Sequence, residues 1–299
     1  MTTPSIGTLG VMAFDTALPF DGSSIALEII LPESLKETAE IIQTSGLTGT
    51  VEQNKERTRE GLKRISGSVK LACSRLMLDT LLPYICGTAE AANVFILADT
   101  IPEFYLMIDR GAKVFTYSGC RIAKATFSGT KGDFLFLDLE IEAETETVGN
   151  AGTYPALTVP TEKPYLFADG ILTLQGSTRV FENFSLTIEN QLNTELFGNN
   201  LTRYDIPLVN RVITLATDHP WDTDNTDLIK QDLNGAAGTL VFTNSTVVTD
   251  VLTFAMAAIQ YANVSPTLPG KDVVNLPLEG MVKSSGTTKP LIITNAHAV

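Results

Sequence analysis

Histidine is almost missing from this chain: of 299 residues only His219 and His297 carry an imidazole. Neither sits with a nucleophile or a ligand set at a spacing that builds a catalytic or metal site. No G-x-S-x-G elbow, G-x-x-x-x-G-K-[ST] phosphate loop, G-x-G-x-x-G fingerprint or H-E-x-x-H helix occurs. A carboxylate pair could serve a glycosidase, yet nothing selects one pair among 34 acids. The expectation is a protein that is not an enzyme and has no cofactor. Cysteine is scarce as well. Cys73, Cys86 and Cys120 are odd in number and fit no metal spacing, so a reduced compartment is the simpler reading. Long hydrophobic runs are lacking: residues 251–262 stop after about a dozen, well short of a bilayer span. The first residues have no basic segment leading into an apolar core, so no signal peptide or membrane partner is expected.

Bases are in short supply too. Against 34 Asp and Glu stand 21 Lys and Arg, a net charge of -13, which opposes tight binding to a phosphate backbone. Charged residues are only 18% and apolar ones 44%, too hydrophobic a balance for disorder. The length allows two domains of roughly 150 residues or one large one. A stretch rich in Gly, Thr and Pro at 148–164 marks the joint, giving a first β domain at 1–150 and a second at 151–299.

What is present is mostly strand. From Glu103 the chain reads as a meander: 104–108, a turn at 109–111, 113–117, 120–127, a turn at 128–133, then 134–147. Aromatic and β-branched residues fill it, with Gly at the reversals. One helix interrupts. Ser74 is its N-cap, Leu76, Leu78, Leu81 and Leu82 supply an apolar face, and Pro83 disturbs its last turn. It follows a strand at 64–71. A second strand-then-helix unit is expected at 238–259, capped by Ser245 or Thr246. Residues 67–83 (GSVKLACSRLMLDTLLP) laid over 238–254 (GTLVFTNSTVVTDVLTF) agree at four of 17 positions, which suggests an internal duplication.

Two stretches read as excursions. Residues 44–63 mix Gly with dense charge (Glu52, Lys55, Glu56, Arg57, Arg59 and Glu60) and are expected to be a long exposed loop. Residues 193–234 are the second, with Trp221 amid acids. There Asp222, Asp224 and Asp227 lie near His219, but the turn Gly and distal Glu of a calcium loop are missing; they read as an acidic turn, and no metal is expected.

The most informative segment is 137–146 (LDLEIEAETE), where Asp138, Glu140, Glu142, Glu144 and Glu146 alternate with Leu139, Ile141, Ala143 and Thr145. On a strand, every carboxylate then falls on one face. Same-face neighbours lie about 7 Å apart. Each such pair repels by about 0.6 kcal/mol in bulk water and by several-fold more at low dielectric, so the face must meet water. An ordinary solvated strand satisfies this, but ordinary solvent faces mix signs. Five acids without a base suggest a wall kept negative, such as a channel that must not bind a passing polyanion.

Residues 104–146 (FYLMIDRGAKVFTYSGCRIAKATFSGTKGDFLFLDLEIEAETE), with their hairpin, Tyr-Ser-Gly-Cys step and closing amphipathic strand, resemble the major tail tube proteins of long-tailed bacteriophages. Residues 64–87 (RISGSVKLACSRLMLDTLLPYICG) are similar to that family's strand leading into its packing helix, and 165–192 to a strand pair of its larger members. The resemblance implies a mainly β fold, a β-sandwich or half-barrel with one packing helix, duplicated in this chain. It also implies a structural virion protein, made in the host cytoplasm, whose strands join those of neighbours in stacked rings. The partners implied are further copies of itself in trimeric or hexameric rings, a tape-measure protein and tail-tip proteins, with DNA passing through the lumen without specific binding. On this reading Asp138, Glu140, Glu142, Glu144 and Glu146 line the lumen, and the charged loop at 44–63 contacts the next ring. Two alternatives stay open: another tail or injection-device component on the same fold, and a β-sandwich adhesin whose glycan site would be Trp221 with Tyr204.

Overall fold

The computed structural model describes residues 10–30, 32–44, 55–150, 156–229, 235–262, 264–266, 268 and 273–297. The first half contains β1 (Val11–Asp15), β2 (Ile25–Leu27), β3 (Ile29–Ile30), β4 (Lys36–Gln43), β5 (Thr58–Ala72) and helix α1 (Arg75–Cys86). It continues with β6 (Val94–Ile96), β7 (Phe104–Asp109), β8 (Lys113–Thr130), β9 (Phe136–Ala143) and β10 (Thr145–Asn150). The second half contains β11 (Gly170–Leu174), β12 (Ser177–Arg179), β13 (Asn183–Leu192) and β14 (Leu208–Pro220). A 3-10 segment (Thr223–Ile229) leads to β15 (Ala236–Thr243), β16 (Val251–Tyr261), β17 (Asn275–Lys283) and β18 (Leu291–Ala296).

The same order of strand pairing recurs in the two halves. In the first half one sheet runs β4-β5-β9-β8 and the opposing one runs β2-β1-β7-β8-β10. In the second half the same orders recur as β13-β14-β17-β16 and β12-β11-β15-β16-β18. The helix α1 after β5 corresponds to the 3-10 segment after β14. In both halves the long strand serves both sheets: the near part of β8 pairs with β7 and β10, and its far part with β9. Both also carry a register shift against the preceding strand, between Phe104 and Leu106 in one and between Ala236 and Gly238 in the other. Matching these registers puts Tyr117 with Met256 and Glu140 with Glu279.

The residue-level match expected from sequence is therefore corrected. It paired 67–83 with 238–254, but 251–261 is strand rather than helix. Val247, Val248, Val251 and Thr253 are β-branched, and Leu252, Phe254, Met256 and Ala258 are buried at period two. The helix that does form buries Met77, Leu78, Leu81, Leu82, Ile85 and Cys86, one face of a 3.6-residue repeat. It runs past Pro83 and ends at Gly87, whose φ of 91° is left-handed and whose N–H donates to the Pro83 carbonyl at 2.8 Å.

Two further expectations change. Residues 58–63 belong to β5 and Lys55–Arg57 is a 3-10 turn, so the charges expected on a loop sit on the solvated end of a hairpin with β4. The second excursion holds the 13-residue strand β14, whose inward positions include Thr217 and His219, polar residues that mask its alternation.

The two halves join along the far part of β8, where Lys124 to Thr130 pair antiparallel with Glu189 to Asn183 of β13. One sheet thus runs without a break from β4 through β5, β9, β8, β13 and β14 to β17. Behind it lies one contiguous core drawn from both halves, in which Phe127 and Phe254 meet edge to face at 4.9 Å. Polar contacts lock the joint. Buried Asn190 donates to the carbonyls of Ile85 and Ile122 (3.2 and 3.1 Å) and accepts from Arg211 (2.6 Å). Leaving such a carbonyl, the one at the end of α1 or the one within β8, unmet in the interior would cost about 1–3 kcal/mol.

Candidate functional site

The outward face of the shared sheet is the candidate site. On β9, Leu137, Leu139, Ile141 and Ala143 are buried, while Asp138, Glu140 and Glu142 project from the other side, as the alternation requires. The alternation stops at Glu144, where the chain bends out of the β5 pairing so that β10 can pair with the near part of β8. Glu144 and Glu146 therefore do not continue the row. Glu144 packs beside Gly119 and burial raises its pKa, with the Glu103 charge adding to the effect. Glu146 accepts the Glu37 backbone N–H at 3.1 Å.

Neither is the row free of bases. β5 and β8 flank β9, and their registers set Lys70 opposite Asp138 and Lys124 opposite Glu140, with ion pairs at 3.8 and 2.9 Å. Both pairs are open to water and contribute at most about 1 kcal/mol each. Glu142 differs. Arg203, from the 193–207 connection, is buried and reaches it at 2.6 Å, donating also to the carbonyls of Ile65 and Ala143. Burial raises the Glu142 pKa, and the Arg203 hydrogen bond opposes that shift. The same connection is tied down by Lys63 N–H to the Leu201 carbonyl and by the Arg64–Glu195 and Arg121–Asp205 pairs. No local pattern marks Arg203, because its partner lies 61 residues away.

Around the acids the face is dominated by hydroxyls: Ser66 and Ser68 on β5, Thr126 and Ser128 on β8, Ser185 and Thr187 on β13, Thr214 on β14. Thr126 and Thr187 touch across the junction at 3.2 Å. Glu189, Asp218 and Glu279 extend the negative charge over the second half. Such a wall is polar and carries a net negative charge.

The other sequence candidates lie elsewhere. Lys55, Glu56 and Arg57 are exposed on their 3-10 turn, and Arg59 and Glu60 on the end of β5 opposite Ile42 and Ile41; Glu52 falls outside the described residues. His219 is buried, with its ring nitrogens engaged by Thr217 and the Val180 carbonyl, and burial lowers its pKa, which favours the neutral ring. Asp227 holds the buried Arg179 at 2.6 Å. Trp221 packs against the core, while Tyr204 is exposed on the 193–207 connection. All three cysteines are buried, and burial pushes their thiols up, Cys86 to about 12. No described helix is long and apolar enough to cross a membrane.

The repeated strand order presents a broad wall of hydroxyls and carboxylates, and the three thiols and the His219 imidazole are buried away from it. The family model described as phage tail tube protein matches residues 2–282, and the chain belongs to that family. A search of curated proteins gave no match. Membership makes it a component of the virion tail that self-assembles into a tube with other tail proteins.

Proposed function

We propose that the chain forms stacked rings, trimeric or hexameric, whose bore conducts DNA during ejection, and that it performs no catalysis. One observation carries this reading: the sheet from β4 to β17 is continuous across both halves, and its outward face carries mainly hydroxyls and acids, with Lys70 and Lys124 paired among them. As a lumen wall that face hydrates readily and repels phosphate, so DNA slides past without the counterion release that would hold it. Asp138, Glu140 and Glu142 contribute directly to this wall. Glu144 and Glu146, set back behind the bend, contribute to its field. The halves 1–150 and 151–299 act as two tube domains in one chain. The solvated hairpin end, with Lys55, Glu56, Arg57, Arg59 and Glu60, suits contact with the next ring. Tape-measure and tail-tip proteins are the remaining partners.

The test is electron microscopy of concentrated protein, followed by ejection kinetics of phage carrying D138K/E140K. Uniform tubes should form from both proteins, since both positions are solvated, and ejection should slow most at low salt. Wild-type ejection kinetics at low salt, or these side chains on the outer wall of a tube structure, would return the row to an ordinary solvated face.

A further inference from the structure

The 193–207 connection belongs to the second half but is fastened to the first. It folds on itself: the Asn193 N–H donates to the Pro207 carbonyl at 2.9 Å, closing its ends, and the Tyr204 N–H donates to the Leu196 carbonyl at 3.1 Å. Phe197 and Ile206 are buried in it, at 5% and 0% exposure, yet both lie outside the contiguous core. Phe197 packs instead against two guanidinium groups, Arg64 at 5.3 Å and Arg203 at 5.9 Å from its ring centre. The segment therefore gains little from the apolar interior that holds the two halves together.

Its fastenings are charges. Arg64 meets Glu195 at 2.8 Å, Arg121 meets Asp205 at 2.8 Å and Arg203 meets Glu142 at 2.6 Å. In the first two pairs the acids are open to water, with 61% and 42% of their side chains exposed, whereas in the third both partners are shut in. Among the described residues one backbone bond crosses, from the Lys63 N–H to the Leu201 carbonyl at 2.8 Å. That bond has a place in the sheet. β9 pairs with β5 as far as Ile65 opposite Ala143, and the chain then bends away at Glu144, so the next N–H on that side of β5 falls to the connection. The connection thus stands in for β9 along this edge while it lays Arg203 on Glu142.

We infer that residues 193–207 form an ionic clasp that opens as a unit while both halves stay folded, and that its opening frees Glu142 to join the outward acids and bares the β5 edge at Lys63. A segment that shares no core surface and is held by solvent-open charges lies at the low end of local stability. Added salt screens such fastenings, so ionic strength sets how often the clasp is open. Closed, it matches one wall acid with a buried cation; open, it gives the wall a further hydrated carboxylate beside Asp138 and Glu140. The consequence for a wall that passes DNA rests on the tube reading, whereas the clasp is a property of the single chain.

Residue-resolved hydrogen exchange and carbodiimide labelling of carboxylates, on dilute full-length protein at about 0.05 M and about 1 M sodium chloride, test this. The amides of Lys63 and Tyr204 should exchange together and about tenfold faster at the higher salt, while those of Leu186 and Leu215 in the central strands keep their rates. Labelling of Glu142 should rise by the same factor, and that of Glu279, exposed on β17, should change little. The double variant E195Q/D205N removes the two open pairs, leaves Arg203 and Glu142 in place, and should show the fast rates already at low salt. Lys63 and Tyr204 amides that exchange no faster than Leu186, rates indifferent to salt, or Glu142 labelled as readily as Glu279 at low salt would each overturn the clasp. Should the variant fail to fold, the salt series on the wild-type chain decides. Tube formation enters none of these measurements, so a failed clasp leaves the tube reading standing, and a chain that forms no tubes leaves the clasp to be judged by its exchange.

Discussion

β9 and β17 occupy the same place in their repeats, and both carry Leu-x-Leu-Glu: Leu137 to Glu140 in one, Leu276 to Glu279 in the other. Their neighbourhoods differ. β9 has a strand on each side, and acids at Asp138 and Glu142 are tolerated because Lys70 and Arg203 meet them from adjoining elements. Among the described strands β17 has only β14 beside 275–279, and at the same two positions it has Pro277 and Met281, one needing no N–H and the other no counter-charge. The shared residues are those that the sandwich requires, inward leucines and one solvated acid. The divergent ones record whether a neighbour is present within the chain.

The strongest way to break this comparison is at the contact between repeats. Phe127→Ala and Phe254→Ala should each cost about 3–5 kcal/mol by denaturant unfolding, with coupling of about 0.5–1.5 kcal/mol in a double-mutant cycle. Purely additive losses would mean that the two rings do not share one core. Arg203→Ala should also cost about 3–5 kcal/mol, since it strands the half-buried Glu142 carboxylate. Met281→Ala, at the counterpart of Glu142, should stay within about 0.5 kcal/mol. Equal losses would show that the two strands are not differently supported.

Smaller effects sharpen the contrast at the bends. Gly119 has φ +62°, and a Cβ there would lie 2.5 Å from the Glu144 carboxyl carbon. Gly119→Ala should therefore cost about 1–2 kcal/mol. The equivalent Ala258→Gly should lose about 0.5–1 kcal/mol through backbone entropy alone. Glu144 gives the smallest effect and a defined sign. Its folded pKa is raised above the ordinary 4.5, so its contribution to stability is greatest below that value and declines as pH rises towards the folded pKa. Glu144→Gln should then raise the melting temperature at neutral pH and leave it nearly unchanged at pH 3. A fall at neutral pH would reverse the assignment.

How much of this was legible in the sequence follows from the range of each signal. Period-two alternation at 137–143 and the leucine face of α1 are local, and both were readable. The second supposed helix was misread because Ser245 and Thr246 with the valines that follow mimic a capped apolar run, while the β-branching that decides the matter also occurs in helices. β14 hid because His219 and Thr217 point inward, satisfied by a carbonyl of a distant turn and by each other. Duplication was visible as a tendency, but its register was not, since equivalent strands share inward leucines and little else. Of the site, the exposed acids could be read directly. Their bases could not, because Lys70, Lys124 and Arg203 are brought to β9 by pairing and by a connection far along the chain.

The pairing of β18 with β6 has a consequence for how the chain is made. Residues 292–294 lie against 94–96, and Asn295 joins Asp79 at 2.6 Å and Tyr165 at 3.2 Å. The ribosome must therefore synthesise the chain as far as Asn295 before the helix of the first repeat gains its last contacts, a long-range closure that also slows folding. Nascent chains should stay sensitive to protease until β18 has emerged, and protection arriving earlier would contradict this. Interrupted translation products would then lack a finished first repeat, and a growing polymer that selects for finished subunits would leave them out.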